Sequence, residues 1–498
     1  MHLVAPEMRE KNTWHRPLII CIAVFFVMAI VGLLITGVVQ NKAIKQKYKY
    51  GIVLDAGSSH TSVYVYQWPA EKENNTGMVT QKHVCNVKGK GISSYAKNAE
   101  KAGPSLKECM QEAERSIPTQ RHQETPVYLG ATAGMRLLRK EDDSASDRVL
   151  DSVVRFLQGT PFTFQGARII TGQEEGAYGW ITVNYLSDNF RKAQRTMGAL
   201  DLGGASTQIT FESGDHSQSP DDFIHFRLYG KEYSVYTHSF LCYGKDQALR
   251  VLLDQQLRAN LTGTGSLILQ DPCFHPGYKK VKLLADVYNT PCIRTGPSSN
   301  VNFTHVGTGN GKLCQEKVRR IFNSSGCSSR SCSFNGVFQP PLHGQFEAFS
   351  AFFFVMKFLN LTSESLEDSK KKLVSYCSTP WDELQKNNHN VKEKYLQEYC
   401  FSGTYIVTLL EEGYSFTSGS WKDIRFIKKI GDSDVGWTLG YMLNLTNMIP
   451  AEAPDSPPLP HGGYVTLMVL LALLVCSLVV CGCCVFRRSS SAAPKQIV

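Results

Sequence analysis

The stretch DAGSSHTSVYVY, residues 55–66, decides the fold, because a second stretch, DLGGASTQITF at residues 201–211, repeats its pattern. Each stretch begins with an acidic residue, continues through a turn of small residues and hydroxyls, and ends in alternating apolar positions. Apolar residues also precede each one, so both predict a strand, a tight glycine turn and a second strand. Two copies of this unit predict two related lobes, each a sheet flanked by helices.

The repeated turn is suited to binding phosphate. Glycine lets the backbone approach a ligand closely, and successive N–H groups form an anion-binding concavity. An acidic residue beside phosphate would repel it unless a divalent cation lay between them, so we interpret Asp55 and Asp201 as holding hydrated Mg²⁺ or Ca²⁺. One such turn alone would more often be an ordinary hairpin, but two copies at matching places favour two facing loops that grip a polyphosphate.

Two charge-free apolar segments, 18–39 and 464–486, lie near the ends of the 498-residue chain. Each is long enough to cross a bilayer core of about 30 Å as a helix. The first exceeds the ~7–15-residue apolar core of a signal peptide and lacks a clear cleavage site, so we expect a retained anchor. Basic residues beside both segments predict that 1–17 and 487–498 are cytoplasmic and that the catalytic part of a plasma-membrane protein is extracellular. The two spans could pack within one chain or between chains of a homo-oligomer.

Cysteine usage and glycosylation sequons also indicate an extracellular segment. Ten of the 15 cysteines lie between the spans, and an even number there indicates five disulfides rather than a zinc site, for which no spacing is present. The net charge of +9 is too diffuse to suggest a nucleic-acid partner. The cluster of Cys481, Cys483 and Cys484 is either palmitoylated or simply small and apolar. The six sequons, all between the spans, are at Asn74, Asn260, Asn302, Asn323, Asn360 and Asn444.

Five motifs, in order, resemble the apyrase conserved regions of the ecto-nucleoside triphosphate diphosphohydrolase family: DAGSSHTS, GATAGMR, ITGQEEGAYGW, DLGGASTQ and VGWTLGYMLNLTNMIP. The resemblance covers essentially the whole chain and is greatest to the cell-surface type 1 subfamily, then to type 8. It implies an α/β, two-lobed, actin/Hsp70-like (ribonuclease H-like) ectodomain, with the active site between the lobes and one transmembrane helix at each end. It also implies the disulfides Cys85–Cys109, Cys242–Cys292, Cys273–Cys314, Cys327–Cys332 and Cys377–Cys400.

The predicted organisation of the chain combines the apolar segments with this resemblance. In order, it comprises a cytoplasmic segment 1–17, a transmembrane helix 18–39, lobe I from 47–171 together with 436–455, lobe II from 172–435, a Pro-rich linker 456–463, a transmembrane helix 464–486 and a cytoplasmic tail 487–498.

Hydrolysis of a phosphoanhydride needs a base that takes a proton from the attacking water. The third motif offers Glu174 and Glu175, and neighbours on a helix do not face the same way. The resemblance implies that Glu175 is the base, leaving Glu174 as a solvated or helix N-terminal acid, and that Ser206 and Gln208 orient the water, since positioning dominates phosphoryl transfer. The residues expected to bind phosphate are Gly57, Ser58, Ser59, His60, Thr132, Gly203, Gly204 and Ala205.

The roles of the other candidate residues have alternative interpretations. Phe354 and Tyr405 are candidates for stacking on the nucleotide base, although segments this apolar are more often core. Trp437 is a third candidate, expected where the lobes join. Arg136 either adds positive charge to the site or forms a surface ion pair. The segment SDNFRKAQRTM at 187–197 is shorter than the family loop thought to approach the membrane, which leaves that contact open.

The leading functional hypothesis is a metal-dependent ecto-enzyme that removes the γ- and then the β-phosphate of extracellular nucleotides, ATP to ADP to AMP, and so tunes purinergic signalling. One alternative is an ATPase whose hydrolysis drives lobe closure, as in chaperones of this fold, but no client-binding domain is apparent. The other is a nucleotide-binding adhesion or receptor ectodomain without turnover. The presence of Asp55, Glu175, Asp201, Ser206 and Gln208 argues against it.

Overall fold

The computed structural model describes residues 15–43, 48–70, 79–190, 192, 194–214, 220–228, 231–260, 267–293, 300–322, 326–327, 331–448, 459 and 461–491. They form two compact units, one spanning Tyr48–Pro450 and one made of the two terminal segments, Met1–Lys47 and Ala451–Val498.

The terminal unit consists of two long helices, α1 (His15–Ala43) and α15 (His461–Ser491). Their apolar stretches, Pro17–Val39 and Gly462–Val485, have mean hydropathies of 3.3 and 2.9 and are long enough to cross a membrane. The helices pack antiparallel, since a Cβ at Gly32 would lie 3.7 Å from Leu471 and one at Gly482 would lie 3.9 Å from Ile22. The expected apolar helix is therefore present at each end, and the two contact each other within one chain.

The first sheet of the large unit has the strand order β3-β2-β1-β4-β5. Strands β1, β2 and β3 are antiparallel, whereas β4 and β5 continue the sheet parallel to β1. Its strands are β1 (Tyr48–Ala56), β2 (Thr61–Pro69), β3 (Thr80–Asn86), β4 (Pro126–Ala131) and β5 (Thr163–Ile169). The helices in this part of the chain are α2 (Lys107–Ser116), α3 (Ala133–Glu141), α4 (Asp143–Gln158) and α5 (Gly172–Leu186).

The second sheet has the order β14-β13-β6-β7-β9-β8. Its strands are β6 (Gly198–Leu202), β7 (Ser206–Glu212), β8 (Phe223–Leu228), β9 (Lys231–Leu241), β13 (Phe346–Ser350) and β14 (Ile424–Phe426). Strands β6, β7 and β9 are antiparallel, and β13 and β14 continue parallel to β6. Apart from the additional β8, the order and directions repeat those of the first sheet, which confirms the prediction of two related lobes.

The remaining helices and strands pack around the second sheet or connect the lobes. They are α6 (Lys245–Asn260), β10 (Ile268–Asp271), β11 (Lys279–Leu283), α7 (Ala285–Tyr288), β12 (Asn302–Gly307), α8 (Gly311–Arg319), α9 (Ala351–Phe358), α10 (Leu366–Cys377), α11 (Trp381–Asn387), α12 (Glu393–Leu396), α13 (Tyr399–Thr408), β15 (Lys429–Ile430), β16 (Ser433–Asp434) and α14 (Trp437–Met448). Strands β10, β12 and β11 form a separate small sheet.

Helices α5 and α14 lie between the two sheets. They cross closely at Gly440, where a Cβ would lie 2.0 Å from the Tyr178 carbonyl oxygen. Helix α14 also covers the first sheet, packing its apolar residues against Val53, Tyr66 and Trp68. The Tyr66 hydroxyl lies 2.7 Å from the Thr438 hydroxyl. The division of lobes at 171/172 and 435/436 stays a prediction, because α14 contacts elements of both.

The structure contains the same five disulfides that the family resemblance implies. Cys85–Cys109 joins β3 to α2 in the first lobe, and the other four lie in the second. Of the predicted glycosylation sites, Asn302 and Asn360 are exposed and Asn444 is half-buried in α14. Asn74, Asn323 and the side chain of Asn260 lie outside the described residues.

Candidate active site

The two acidic residues of the repeated turn occupy equivalent places in the two sheets. Asp55 is the next-to-last residue of β1, opposite Gly130 of the parallel β4. Asp201 is the next-to-last residue of β6, opposite Phe349 of the parallel β13. Because the carboxyl ends of parallel strands meet at one edge of a sheet, each sheet presents one carboxylate at the edge where its glycine turn begins.

The two glycine turns approach each other across the space between the lobes. If Gly204 carried a Cβ, that atom would lie 2.8 Å from the Ser58 hydroxyl, so the two turns are almost in contact. A Cβ at Gly134 would lie 2.8 Å from Ser58 Cα, so α3 also begins beside the first turn. The buried Thr132, which precedes α3, donates its backbone N–H to the Ala56 carbonyl at 3.1 Å. The structure therefore brings both predicted phosphate-binding turns and Thr132 together.

The second turn is anchored by the start of α6. The Gly203 carbonyl accepts the Lys245 N–H at 2.9 Å, and the Gly204 carbonyl accepts the Asp246 N–H at 2.9 Å. If Gly244 carried a Cβ, that atom would lie 2.2 Å from the Ala205 nitrogen, so the backbone at Gly244 packs directly against the second turn. Fixed carbonyl directions preorganise the turn, which lowers the cost of ordering it around a ligand.

In the first turn, partial desolvation and the positive charge of Lys394 lower the pKa of His60, although its side chain reaches the surface. Its Nδ1 lies 3.0 Å from the Ser59 hydroxyl. A neutral imidazole in this position offers one N–H and one acceptor nitrogen to a ligand.

Among the described residues, no positively charged side chain contributes to the pKa of Asp55 or Asp201. Burial, together with the neighbouring carboxylates of Glu175 and Asp201, raises the pKa of Asp55 to about 8, against an opposing effect of the Trp437 indole. Burial and Glu175 likewise raise the pKa of Asp201 to about 7, although hydrogen bonds from Ser350 and the Leu202 backbone oppose the shift. Asp55 Oδ1 is buried without a hydrogen-bond partner among the described residues. These features fit a divalent cation.

The coordination of such a cation would be completed mainly by water and substrate. No group of three or more His, Cys, Asp or Glu side chains in the described part of the chain is arranged to hold a metal ion. Two protein carboxylates with waters make an undemanding oxygen site that suits Ca²⁺ or Mg²⁺.

The two adjacent glutamates of the third motif have separate environments. Glu174 forms a capping box with Thr171 at the start of α5: the Thr171 hydroxyl accepts the Glu174 N–H, and a Glu174 carboxylate oxygen accepts the Thr171 N–H. It also makes two hydrogen bonds with Arg168, at 2.8 and 2.9 Å. Glu175 is only 8% exposed and points inward from the next position. The structure thus gives Glu174 a structural role at the helix N-terminus.

Glu175 lies in a network of four polar side chains. Arg136 Nη2 donates to Glu175 Oε2 at 2.7 Å and to Ser206 Oγ at 3.1 Å. Gln208 Nε2 donates to Glu175 Oε2 at 3.2 Å and to Ser206 Oγ at 2.9 Å. Both contacts to Glu175 use Oε2, and Oε1 makes no hydrogen bond to any described residue, which leaves it free to accept a proton from water. The structure brings together Glu175, Ser206 and Gln208.

The three aromatic candidates for the nucleotide base do not meet in the cleft. Tyr405 is wrong as a stacking residue, because it is 0% exposed, lies between Phe322 and Phe401, and donates its hydroxyl to the protein backbone. Trp437 is also unavailable, since its ring is buried against Gly130. Phe354 is 53% exposed on α9 and stays a prediction.

Sequence reasoning missed or undervalued three residues of the site. Arg136 is part of the network around Glu175 rather than a surface ion pair; its position four residues after Thr132 in GATAGMR was the available signal. Ser350 adopts a left-handed φ of 55°, uncommon outside glycine, and its side chain lowers the pKa of Asp201. Ser239 accepts a hydrogen bond from Gln208. Neither serine lies in a recognisable motif.

We expect the cation-free protein to lose stability as the pH rises from about 5 to about 8. The folded state keeps protons on Asp55 and Asp201 that the unfolded chain, with ordinary carboxyl pKa values of 3.8, has already released, so rising pH favours unfolding. Added Ca²⁺ or Mg²⁺ should abolish the decline, because it binds the ionised carboxylates. The measurement is the melting temperature of chelator-treated protein across this range. The Asp55→Asn/Asp201→Asn double variant is the control, and a decline of equal size in that variant would contradict the assignment.

Comparison with known proteins identifies the family of the chain. Residues 41–458 match the model of the GDA1/CD39 (nucleoside phosphatase) family. The chain is 54% identical to ectonucleoside triphosphate diphosphohydrolase 1 of Bos taurus, over 93% of this chain and 94% of the relative. It is 47% identical to ectonucleoside triphosphate diphosphohydrolase 8 of Bos taurus, over 83% of this chain and 86% of the relative.

A solved structure of nucleoside triphosphate hydrolases from Neospora caninum covers 85% of this chain and 96% of its own, with a TM-score of 0.57 at 16% identity. This likeness supports the two-lobed fold. The family match over residues 41–458 and the identity to these relatives show that the chain belongs to the GDA1/CD39 family of nucleoside phosphatases.

Proposed function

We propose that this protein is a nucleoside triphosphate diphosphohydrolase that removes the terminal phosphate from extracellular ATP and then from ADP, releasing AMP. The observation that carries the proposal is the buried Glu175, held by Arg136 and Gln208 in the same site as the paired carboxylates Asp55 and Asp201. The names of the curated relatives, which describe nucleotide hydrolysis, support the same reaction.

In the proposed reaction, Glu175 acts as the general base. Its Oε1 accepts a proton from the attacking water, while Ser206 and Gln208 hold that water in line with the terminal phosphorus. Arg136 keeps the Glu175 carboxylate in place through Oε2 and contacts Ser206 as well. No covalent intermediate is required.

The two glycine turns bind the polyphosphate from both sides. Residues 57–60 and 203–205 supply backbone N–H groups and hydroxyls, and Thr132 adds a hydroxyl beside the first turn. Asp55 and Asp201 would hold a hydrated Ca²⁺ or Mg²⁺, which when bound neutralises phosphate charge. A monophosphate offers only one group to two turns and so forfeits the binding energy that orients the substrate.

We further propose that α1 and α15 both cross the plasma membrane, with 1–17 and 487–498 in the cytoplasm and the large unit outside. The apolar stretches of both helices support this arrangement, as do basic residues beyond each of them. The five disulfides support an oxidising compartment for the large unit.

The test is to supply ATP, ADP and AMP separately to intact cells that express the protein and to follow the products. We expect phosphate from ATP and ADP but not from AMP, accumulation of AMP, and complete loss of activity with EDTA. Cells displaying an equal amount of Glu175→Gln protein control for other surface phosphatases. Adenosine formed directly by purified protein, or activity that appears only after permeabilisation, would contradict the proposal.

A further inference from the structure

Ser239, on β9, contacts the site although it lies outside the five motifs. It is the register partner of Gln208 on the adjacent β7. Gln208 Nε2 lies 2.9 Å from Ser239 Oγ, 2.9 Å from Ser206 Oγ and 3.2 Å from Glu175 Oε2, so its two N–H groups are shared among three acceptors. Ser239 is therefore connected through Gln208 to the proposed base, Glu175.

The orientation of the Gln208 amide is important for the proposed chemistry. A carboxylate only accepts hydrogen bonds, so the amide must turn its nitrogen, and not its oxygen, toward Glu175. The Ser239 hydroxyl, 2.9 Å from that nitrogen, anchors the end of the side chain on β9 and so keeps the amide against Glu175. Gln208 Oε1 is buried without a hydrogen-bond partner among the described residues, which leaves it to accept a hydrogen bond from the attacking water. A reversed amide would place oxygen against Glu175 and remove this acceptor.

Ser239 also contacts the helix that carries the base. A Cβ at Gly172, the first residue of α5, would lie 2.3 Å from both Ser239 Cβ and Ser239 Oγ. One turn later, a Cβ at Gly176 would lie 2.5 Å from the Thr210 hydroxyl and 2.6 Å from the Thr237 hydroxyl. The first turns of α5 thus pack against hydroxyl side chains of β7 and β9. Ser239 is one of these side chains and also contacts Gln208.

We propose that Ser239 is a positioning residue for the hydrolysis. It holds the amide of Gln208 in place against Glu175, whose carboxylate fixes the amide orientation, and so keeps Oε1 available to the water. This inference rests on the proposed function of the cleft, because it concerns the rate of that reaction. It assigns to Ser239 a role exerted through Gln208, without contact to the substrate.

The first test compares purified Ser239→Ala with the unmodified protein. We expect kcat for ATP to fall about tenfold, the usual effect of losing one hydrogen bond in the reacting arrangement, with KM changed by less than about twofold. Ser239→Cys, which keeps the size but accepts hydrogen bonds only weakly, should lose similar activity and guards against misfolding of the alanine variant. Thr237→Val is the matched control: it removes a hydroxyl from the same strand, against the same helix, with no bond to Gln208.

The second test is a double-mutant cycle with Gln208→Ala. If Ser239 acts through Gln208, then Ser239→Ala should cause no further loss of kcat in the Gln208→Ala protein. Additive losses, a Thr237→Val defect in kcat as large as that of Ser239→Ala, or a fully active Ser239→Ala protein would overturn the inference alone. An unmodified protein that releases no phosphate would instead contradict the proposed function, and this inference with it.

Discussion

The Glu175→Gln protein should hydrolyse ATP and ADP at least 100-fold more slowly than the unmodified protein. Glutamine keeps the size and the hydrogen-bonding reach of the side chain but cannot take a proton from water, and a general base typically contributes ~10²–10⁴-fold to the rate. The measurement is kcat for phosphate release, with nucleotide binding and melting temperature recorded alongside. Binding and folding should be largely retained, because the change removes a buried carboxylate that repels Asp55 and Asp201.

Glu174→Gln is the matched control, because it makes the same chemical change at the next position. Glutamine can still complete the capping box with Thr171, so only the ion pair with the half-exposed Arg168 is lost. Such pairs typically contribute about 0–1 kcal/mol to stability, and kcat should change little. If Glu174→Gln were inactive while Glu175→Gln kept more than about a tenth of kcat, the base would be the other residue.

The second large effect is expected for Asp201→Asn. Asparagine has the same shape and can still accept hydrogen bonds, but it removes one of the two negative charges assigned to the cation. Half-maximal activity should then require on the order of 100-fold more Ca²⁺ or Mg²⁺, since even changes beyond the direct ligands typically weaken metal affinity 10–100-fold. The measurement is the rate of ATP hydrolysis as a function of free cation concentration. Without cation, the variant should be at least as stable as the unmodified protein near pH 8, because repulsion with Glu175 is gone.

Asp246→Asn tests whether the cation requirement depends on Asp201 itself or on any carboxylate near the second glycine turn. Asp246 lies beside Gly204, with Oδ2 2.7 Å from the position of a Cβ there, but its carboxylate pairs with Lys245. The cation requirement of this variant should be nearly unchanged. An equal shift in both variants would show that the general charge of the region, and not a ligand at Asp201, sets the cation requirement.

Much of the site could be predicted from the sequence because its residues occur in short continuous segments. Asp55 and Asp201 each follow an apolar strand and precede a glycine turn, so sequence spacing alone places them at equivalent sheet edges. The distinction between Glu174 and Glu175 was supported by the resemblance, and the structure adds a physical reason, since the first caps a helix and the second faces inward.

The rest depends on contacts between distant segments, which leave no local pattern. Ser239 looks like any hydroxyl in an alternating strand, and only the pairing of β7 with β9 brings it to Gln208. Tyr405 was misjudged for the same reason: α13 is apolar on most sides, so its periodicity does not reveal which face meets Phe322. The pairing of Arg136 with Glu175 likewise requires α3 and α5 to be placed in space first.

The covering of the first sheet by α14 has a consequence for biosynthesis. The strands of that sheet end at Ile169, whereas the helix that covers Val53, Tyr66 and Trp68 begins at Trp437. A chain emerging from the ribosome therefore completes the sheet long before its cover exists, and this apolar face stays open while the second lobe is made. Transiently exposed apolar surface and unfinished sheets promote aggregation, so we expect this face to be an aggregation-prone part of the nascent chain until α14 has been made. Truncations before Trp437 make that exposure permanent.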